Sequence, residues 1–334
     1  MKKIYDIGDV PRKEALADRF MFPFSQVNFL LNGGIFDRVT LIASGTDNGK
    51  TTFTSQIICD IVKQGFKCAC FFGEDTAYES QERLYMQATY GKDEDNIVYI
   101  PYMANGKATN CGEFVLSNKA WNEAQSKFKG KVWLYNTNAS ATVEDILDGF
   151  EEARVQHGCK VFVLDNCDQF EFTSDNENKA MREIVIKIRD YAINKKVHIF
   201  LISHIRKTER DVILPNIFDI KGSSSLGNIA KNVIILVRLD KVNRDSPQYK
   251  ALKELIALNN YNLDDADSLV HIAKTKGRKI GFACLKFNKK TNTYYDCPKI
   301  DESKEEDDKT RVVSPYADLT PIEMDDDIFG KMNF

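Results

Sequence analysis

Ser44-Gly45-Thr46-Asp47-Asn48-Gly49-Lys50-Thr51-Thr52 stands between an apolar run, Arg38-Val39-Thr40-Leu41-Ile42-Ala43, and an amphipathic one from Phe53 to Val62. The order predicts strand, loop, helix. A phosphate-binding loop needs that order, because loop N–H groups and a helix N-terminus must converge on one anion. Against the usual G-x-x-x-x-G-K-[ST] pattern, Ser44 replaces the first glycine, while Gly49-Lys50-Thr51 is intact. We read Ser44, Gly45, Asn48, Gly49, Lys50, Thr51 and Thr52 as nucleotide-binding.

Outward from this stretch, apolar strand patterns recur at 39–44, 67–72, 96–102, 132–135, 160–164, 198–202, 232–237, 269–274 and 282–287. Helical patterns intervene at 51–64, 78–90, 112–128, 141–157 and 178–194. Such alternation predicts an α/β fold, a mostly parallel sheet with helices on both faces. The last two strands read as a C-terminal β-hairpin turning through residues 275–279. The expected organisation is an N-terminal arm or linker helix at 1–25, a nucleotide-hydrolysing domain at 26–298 and an acidic, unstructured tail at 299–334.

Composition narrows the class. The chain has 334 residues, 43% of them apolar, enough for a full-sized core. No apolar run approaches the roughly 20 residues that span a bilayer, and Met1-Lys2-Lys3 is not followed by an apolar leader segment. A cytoplasmic location is expected, the host cytoplasm if the chain is viral. The eight cysteines include no C-x-x-C pair, which argues against zinc, and Cys68, Cys70 and Cys284 read as small core residues. Residues 300–334 hold eleven acids against four bases, a net −7, so the rest carries +4 out of the overall −3. A mildly basic body with an acidic tail suits a nucleic-acid-associated protein.

Three further positions carry chemistry. Lys160-Val161-Phe162-Val163-Leu164-Asp165-Asn166 is an apolar strand ending in an acid, fit to hold Mg²⁺ beside Thr51. Glu74 and Asp75 end the strand through Phe71-Phe72-Gly73. Glu74 there can deprotonate an attacking water, and Asp75 reads as a helix N-terminal acid. His204 ends another strand, where its ring would touch the γ-phosphate; the alternative is a structural histidine.

These residues together resemble the ATPase domain of hexameric replicative DNA helicases: the DnaB type and, more closely, the phage primase-helicases and the mitochondrial replicative helicase. The matching segments are Asn32-Gly33-Gly34, 44–52, Phe72-Gly73-Glu74, Val163-Leu164-Asp165-Asn166, Ile202-Ser203-His204-Ile205-Arg206, the run from Asp219 to Leu226, and Ala273-Lys274-Thr275-Lys276 leading to Phe287-Asn288-Lys289. They keep the family order across residues 25–295.

The resemblance implies a RecA-like P-loop fold, with ATP or another NTP and Mg²⁺ as cofactors. By it, Lys50 neutralises the β/γ-phosphates, Thr51 and Asp165 hold Mg²⁺, Glu74 is the general base and His204 the phosphate sensor. Arg238 resembles a base-stacking arginine and Phe287 the aromatic on the base's other face, although Phe287 reads equally as strand core. Where the family places an arginine finger two residues after Lys274, this chain has Lys276, with Arg278 two further on; either one, with Lys274, is the candidate. Single-stranded DNA would meet Arg206, Lys207 and Arg210, then Lys221, Gly222, Ser223 and Ser224; the bland reading of 206–210 is a solvated loop. A homo-hexamer is implied, with the arm at 12–20 packing on the next copy. The acidic tail, ending in Ile328-Phe329 and Phe334, would recruit a DNA polymerase, primase or other replisome protein, or simply solubilise. The competing functional classes are a RecA-type recombinase forming filaments on DNA and a regulatory RecA-fold ATPase acting on protein.

Overall fold

The computed structural model describes residues 19–89, 96–104, 107–135, 141–166, 177–206, 214–221, 226–227, 229–262, 265–275 and 280–300. In chain order the strands are β1 (Arg19–Phe20), β2 (Gly34–Ile35), β3 (Arg38–Ser44), β4 (Cys68–Phe72), β5 (Ile97–Ala104), β6 (Lys107–Leu116), β7 (Val132–Leu134), β8 (Val161–Asp165), β9 (His198–His204), β10 (Asn232–Arg238), β11 (Ser268–Lys274), β12 (Gly281–Asn288) and β13 (Thr293–Asp296). The helices are α1 (Ser25–Leu31), α2 (Lys50–Lys63), α3 (Ala77–Ala88), α4 (Asn118–Phe128), α5 (Val143–His157), α6 (Glu177–Lys195) and α7 (Pro247–Leu258).

A nine-stranded sheet runs β13-β12-β11-β10-β3-β9-β8-β4-β7. It is parallel from β10 to β7 and antiparallel from β10 to β13. The expected α/β architecture with its C-terminal antiparallel strands is present. Buried on both faces, the central strands are near-continuously apolar, as parallel strands must be. Leu41 faces one hydrophobic cluster and Ile42 the other. Residues of α5, α6 and α7 line the first cluster; α1 to α4 line the second. Phe53, Ile57, Ile58 and Ile61 of α2 are completely buried, each contributing about 2 kcal/mol by area.

Three expectations need correction. The segment at 96–102 is a strand, but β5 pairs only with β6, in a separate two-stranded antiparallel sheet. The helix expected at 112–128 begins at Asn118, because residues 112–116 belong to β6. Gly112 is the physical reason: a Cβ there would lie 2.3 Å from the Ile100 carbonyl oxygen, so only glycine lets the strands close. Ser117 then caps α4, accepting from Ala120 N–H at 3.3 Å. Helix α7, absent from the sequence reading, starts at a similar signal, Ser246 as cap with Pro247 in the first turn.

Residues 19–25 of the expected arm pack on the body. Phe20, Phe22 and Phe24 are at most 1% exposed, and Phe24 stacks on Phe53 with centroids 5.1 Å apart. The rest of the arm and the whole acidic tail beyond residue 300 lie outside the described residues. No described helix is long and apolar enough to cross a membrane.

Candidate nucleotide-hydrolysis site

Ligands of open parallel sheets bind at the carboxyl ends of the strands. Here register brings Ser44 of β3 opposite His204 of β9, and Phe72 of β4 opposite Asp165 of β8. The chain leaves β3, turns at Gly49 with φ 77°, and enters α2 at Lys50. Glycine suits that left-handed conformation, since a Cβ would be strained there. It would also stand 2.4 Å from the Tyr294 hydroxyl, which β13 lays against the loop.

Lys50 is 7% exposed. Its ammonium donates to the Gly45 carbonyl at 3.2 Å and lies 3.2 Å from His204 Nδ1. An ammonium only donates, so Nδ1 accepts and Nε2 carries the imidazole proton. Nε2–H faces Glu74 Oε1 at 3.8 Å, and the Asn166 amide, which lies 3.3 Å from Nε2 but as a second donor cannot bond it, donates to Glu74 Oε1. The phosphate-loop lysine, the β9 histidine and the β4 glutamate therefore form one polar cluster. Glu74 keeps its side chain 61% exposed, open to water.

Thr51 Oγ1 donates to Asp165 Oδ2 at 2.6 Å. Burial pushes the Asp165 carboxyl up to about 6, against the lowering effects of the Thr51 bond and of Lys50. A buried carboxylate beside a hydroxyl is a hard-oxygen donor set that a divalent cation would complete. Among the described residues no group of three or more His, Cys, Asp or Glu side chains could hold a metal. A hydroxyl and one carboxylate fit Mg²⁺, which keeps most of its shell as water and phosphate oxygens.

Asp75 stands just before the first turn of α3. Thr76 caps α3 in a box with Glu79, and Asp75 forms an ion pair with Arg83, which also donates to Ser55 of α2 at 3.1 Å. Arg238 donates its N–H to Asn48 Oδ1 at 3.2 Å and its guanidinium to the Asp47 carbonyl at 3.3 Å, while pairing with Asp240. Beside it, a cleft of about 430 Å³ is lined by Gly45, Asn48, Arg238, Lys241 and Gln248, among others. Phe287 packs beside Tyr294, centroids 4.9 Å apart, at the edge of the core.

Arg206, just beyond β9, and Lys221 are exposed, and on either side of the Ile205–Ile220 bridge Arg206 N–H donates to the Asp219 carbonyl and Lys221 N–H to the His204 carbonyl. Lys274 lies elsewhere. Its partner Val233 pairs with Leu41, toward the start of the parallel strands, and its ammonium donates to the Gly227 carbonyl at 2.6 Å. Burial lowers its pKa, with Lys231 adding to the effect. Lys207, Arg210, Gly222, Ser223, Ser224, Lys276 and Arg278 lie outside the described residues.

Sequence reasoning missed Asn166 as the hydrogen-bond donor to Glu74, Arg83, and Tyr294 with its partner Gln56. Asn166 had a signal, its place right after the strand-end Asp165. Tyr294 had none, since a lone tyrosine near the chain's end carries no motif.

Comparison with known proteins agrees with this geometry. No curated protein sequence matches the chain. Among solved structures, it is similar to an ATPase domain (TM-score 0.63, 16% identity, covering 83% of this chain and 90% of that one). It is also similar to a DnaB-like replicative helicase described with its interactions with primase (TM-score 0.65, 15% identity, 85% of this chain). There it spans 65% of the relative's length. A third is a KaiC-like protein from the archaeon Pyrococcus horikoshii (TM-score 0.55, 16% identity, 85% of this chain and all of that one). These likenesses show a RecA-like P-loop fold. The profile of the AAA domain matches residues 9–210, more than half of the chain, and on that match, with its phosphate loop and strand-end acids in place, the chain belongs to the AAA domain family of NTPases.

Proposed function

We propose that this protein is an ATP-driven ring translocase on single-stranded DNA that unwinds duplex at a replication fork. The observation that carries the reading is the cluster of Lys50, His204 and Glu74, because His204 ends the strand whose continuation bears Arg206. Loss of a γ-phosphate at Lys50 would thus be felt where a DNA strand is held.

In the chemistry, Lys50 and the N-terminus of α2 neutralise the β/γ-phosphates. Thr51 and Asp165 would hold Mg²⁺, which supplies charge neutralisation at the phosphates when bound. Glu74 takes a proton from water as the water oxygen attacks the γ-phosphorus and ADP leaves. Arg238 and Phe287 flank the base. Lys274 sits toward the opposite end of the strands from its own phosphate loop, so with Lys276 or Arg278 it would act on the nucleotide of a neighbouring copy, in a hexamer. Arg206, Lys207, Arg210, Lys221 and the Gly222 to Ser224 segment would hold DNA phosphates. The organisation into arm, ATPase domain and partner-recruiting tail belongs to the same reading, as does a cytoplasmic location.

The test is unwinding of a forked duplex by the full chain with ATP, beside negative-stain images on single-stranded DNA. Rings with strand separation support the proposal, and extended filaments without it point to a recombinase. The likeness to a KaiC-like protein favours one other reading, a regulatory ATPase acting on protein; ATP hydrolysis indifferent to DNA would select it.

A further inference from the structure

One exposed aromatic stands out for how rigidly it is presented. Phe218 is 77% exposed, yet it sits on a short turn (Ile217–Asp219) that is fixed at both ends. Asn216 Oδ1 accepts from the Phe218 N–H at 2.8 Å, and Asp219 Oδ2 accepts from the Asn216 N–H at 2.8 Å, closing a capping box. The preceding Ile217 turns inward to the core, and a Cβ added at Gly227 would meet its Cβ at 3.5 Å. Ile220, after the turn, is fully buried. The backbone on both sides therefore fixes where the Phe218 ring leaves the surface and faces water.

The turn is also bonded straight to the strand that carries His204. Arg206 N–H donates to the Asp219 carbonyl at 2.8 Å, Lys221 N–H donates to the His204 carbonyl at 2.8 Å, and Ile205 bridges Ile220 between them. The exposed side chains of Arg206 and Lys221 thus belong to the same short antiparallel pair as the ring. A planar apolar face and two cations presented by one short antiparallel pair are the combination that binds single-stranded nucleic acid: the cations meet phosphates and the ring takes a base, whatever its identity.

We propose that Phe218 is a stacking platform for an unpaired base of single-stranded DNA, held on a turn that moves with the His204 end of β9. The proposal rests on the DNA-translocase reading above and adds to it a contact with the bases rather than the phosphates. Through the Lys221 to His204 bond, a shift of His204 on loss of phosphate tilts the platform and its base together.

The test uses the full chain with a non-hydrolysable ATP analogue and fluorescently labelled oligo(dT). Phe218→Ala should weaken binding about 5- to 100-fold, the range of one lost base stack. An otherwise identical oligomer with abasic sites in place of thymines should bind the unaltered chain as weakly as Phe218→Ala binds oligo(dT), and Phe218→Ala should barely tell the two oligomers apart. Phe218→Trp should restore affinity and show indole emission quenched by oligo(dT), beyond any change seen for Trp121 and Trp133 in the unaltered chain. If the unaltered chain does not bind oligo(dT), the DNA reading itself fails. If it binds and Phe218→Ala binds as tightly, or the new indole is unquenched, the platform alone is overturned. A loss of oligomer in Phe218→Ala with DNA affinity per assembled oligomer unchanged also overturns it, by making the ring a contact between copies.

Discussion

The side-chain amide of Gln56 makes both hydrogen bonds of a strand partner to Tyr294: it accepts from the Tyr294 N–H at 2.7 Å and donates to the Tyr294 carbonyl at 2.6 Å. Strand β13 ends the sheet, so one edge of its backbone has no neighbouring strand. Helix α2 supplies one side chain in its place, and that side chain also sets where the Tyr294 hydroxyl meets the phosphate loop. The same device recurs where Asn28 pairs both backbone groups of Phe22, and where Gln64 pairs those of Met21.

Gln56→Ala leaves a buried N–H and a buried carbonyl without partners. Each such group costs about 1–3 kcal/mol, so the variant should lose roughly 2–6 kcal/mol. Urea unfolding measures the loss. ATP affinity should fall with it, because Tyr294 is released from Gly49. A variant as stable as the parent would mean that β13 is held by its β12 pairing alone.

Gly49→Ala puts a Cβ both at a left-handed φ and into the Tyr294 hydroxyl. ATP binding, followed with a fluorescent analogue, should be lost. Adding Tyr294→Phe removes the steric contact but not the backbone strain, which costs on the order of 1 kcal/mol. Partial recovery of binding is therefore expected in the double variant. Full recovery would show that the strain is negligible.

Lys50→Ala and Glu74→Gln should separate binding from chemistry. The first removes the cation at the phosphates and should abolish both nucleotide binding and hydrolysis. The second keeps size and polarity at an exposed position, so binding should persist while turnover drops about 10²- to 10⁴-fold, the usual contribution of a general base. Colorimetric phosphate release and equilibrium binding read the two effects. Undiminished hydrolysis in Glu74→Gln would move the base elsewhere.

His198 gives a stability signal unrelated to catalysis. It is fully buried among Phe20 and Phe200, and Nδ1 lies 2.8 Å from the Ile35 carbonyl, which can only accept, so the proton is on Nδ1. Nε2 has no hydrogen-bond partner among the described residues. Burial lowers its pKa from 6.5 to about 4. Above pH 6.5 the ring is neutral folded or unfolded and contributes no pH dependence. Between pH 6.5 and 4 the unfolded chain takes up a proton that the folded chain refuses, so stability falls as pH drops, by roughly 3 kcal/mol in all. His198→Phe should flatten that part of a stability-against-pH curve from urea midpoints; an unchanged slope would assign it to other groups.

How much was legible depended on range along the chain. Residues 44–52 could be read because β3, the loop and the start of α2 are contiguous, and each is governed by local periodicity and by the glycine that the turn at Gly49 requires. Asp165 and Glu74 were legible as strand-end acids for the same reason. The ion pair of Asp75 was not legible because its partner, Arg83, lies a turn and more into α3, beyond the capping pattern at Thr76 and Glu79. The β5–β6 sheet was misread because Gly112 looks like a permissive helix residue until the Ile100 backbone is seen against it.

By itself the sequence determined the alternation of strands and helices, the phosphate loop and the acids and histidine at the strand ends, since each is set by neighbours a few residues apart. Only the tertiary structure decided that Lys50, His204, Asn166 and Glu74 cluster together, that Tyr294 closes on Gly49, and that Lys274 donates to the Gly227 carbonyl. Those relations depend on which strands lie side by side and in what register. Burial of both faces of the sheet settles that, and contacts such as Gln56 with Tyr294, 238 residues apart, leave no periodic trace in either partner's local sequence.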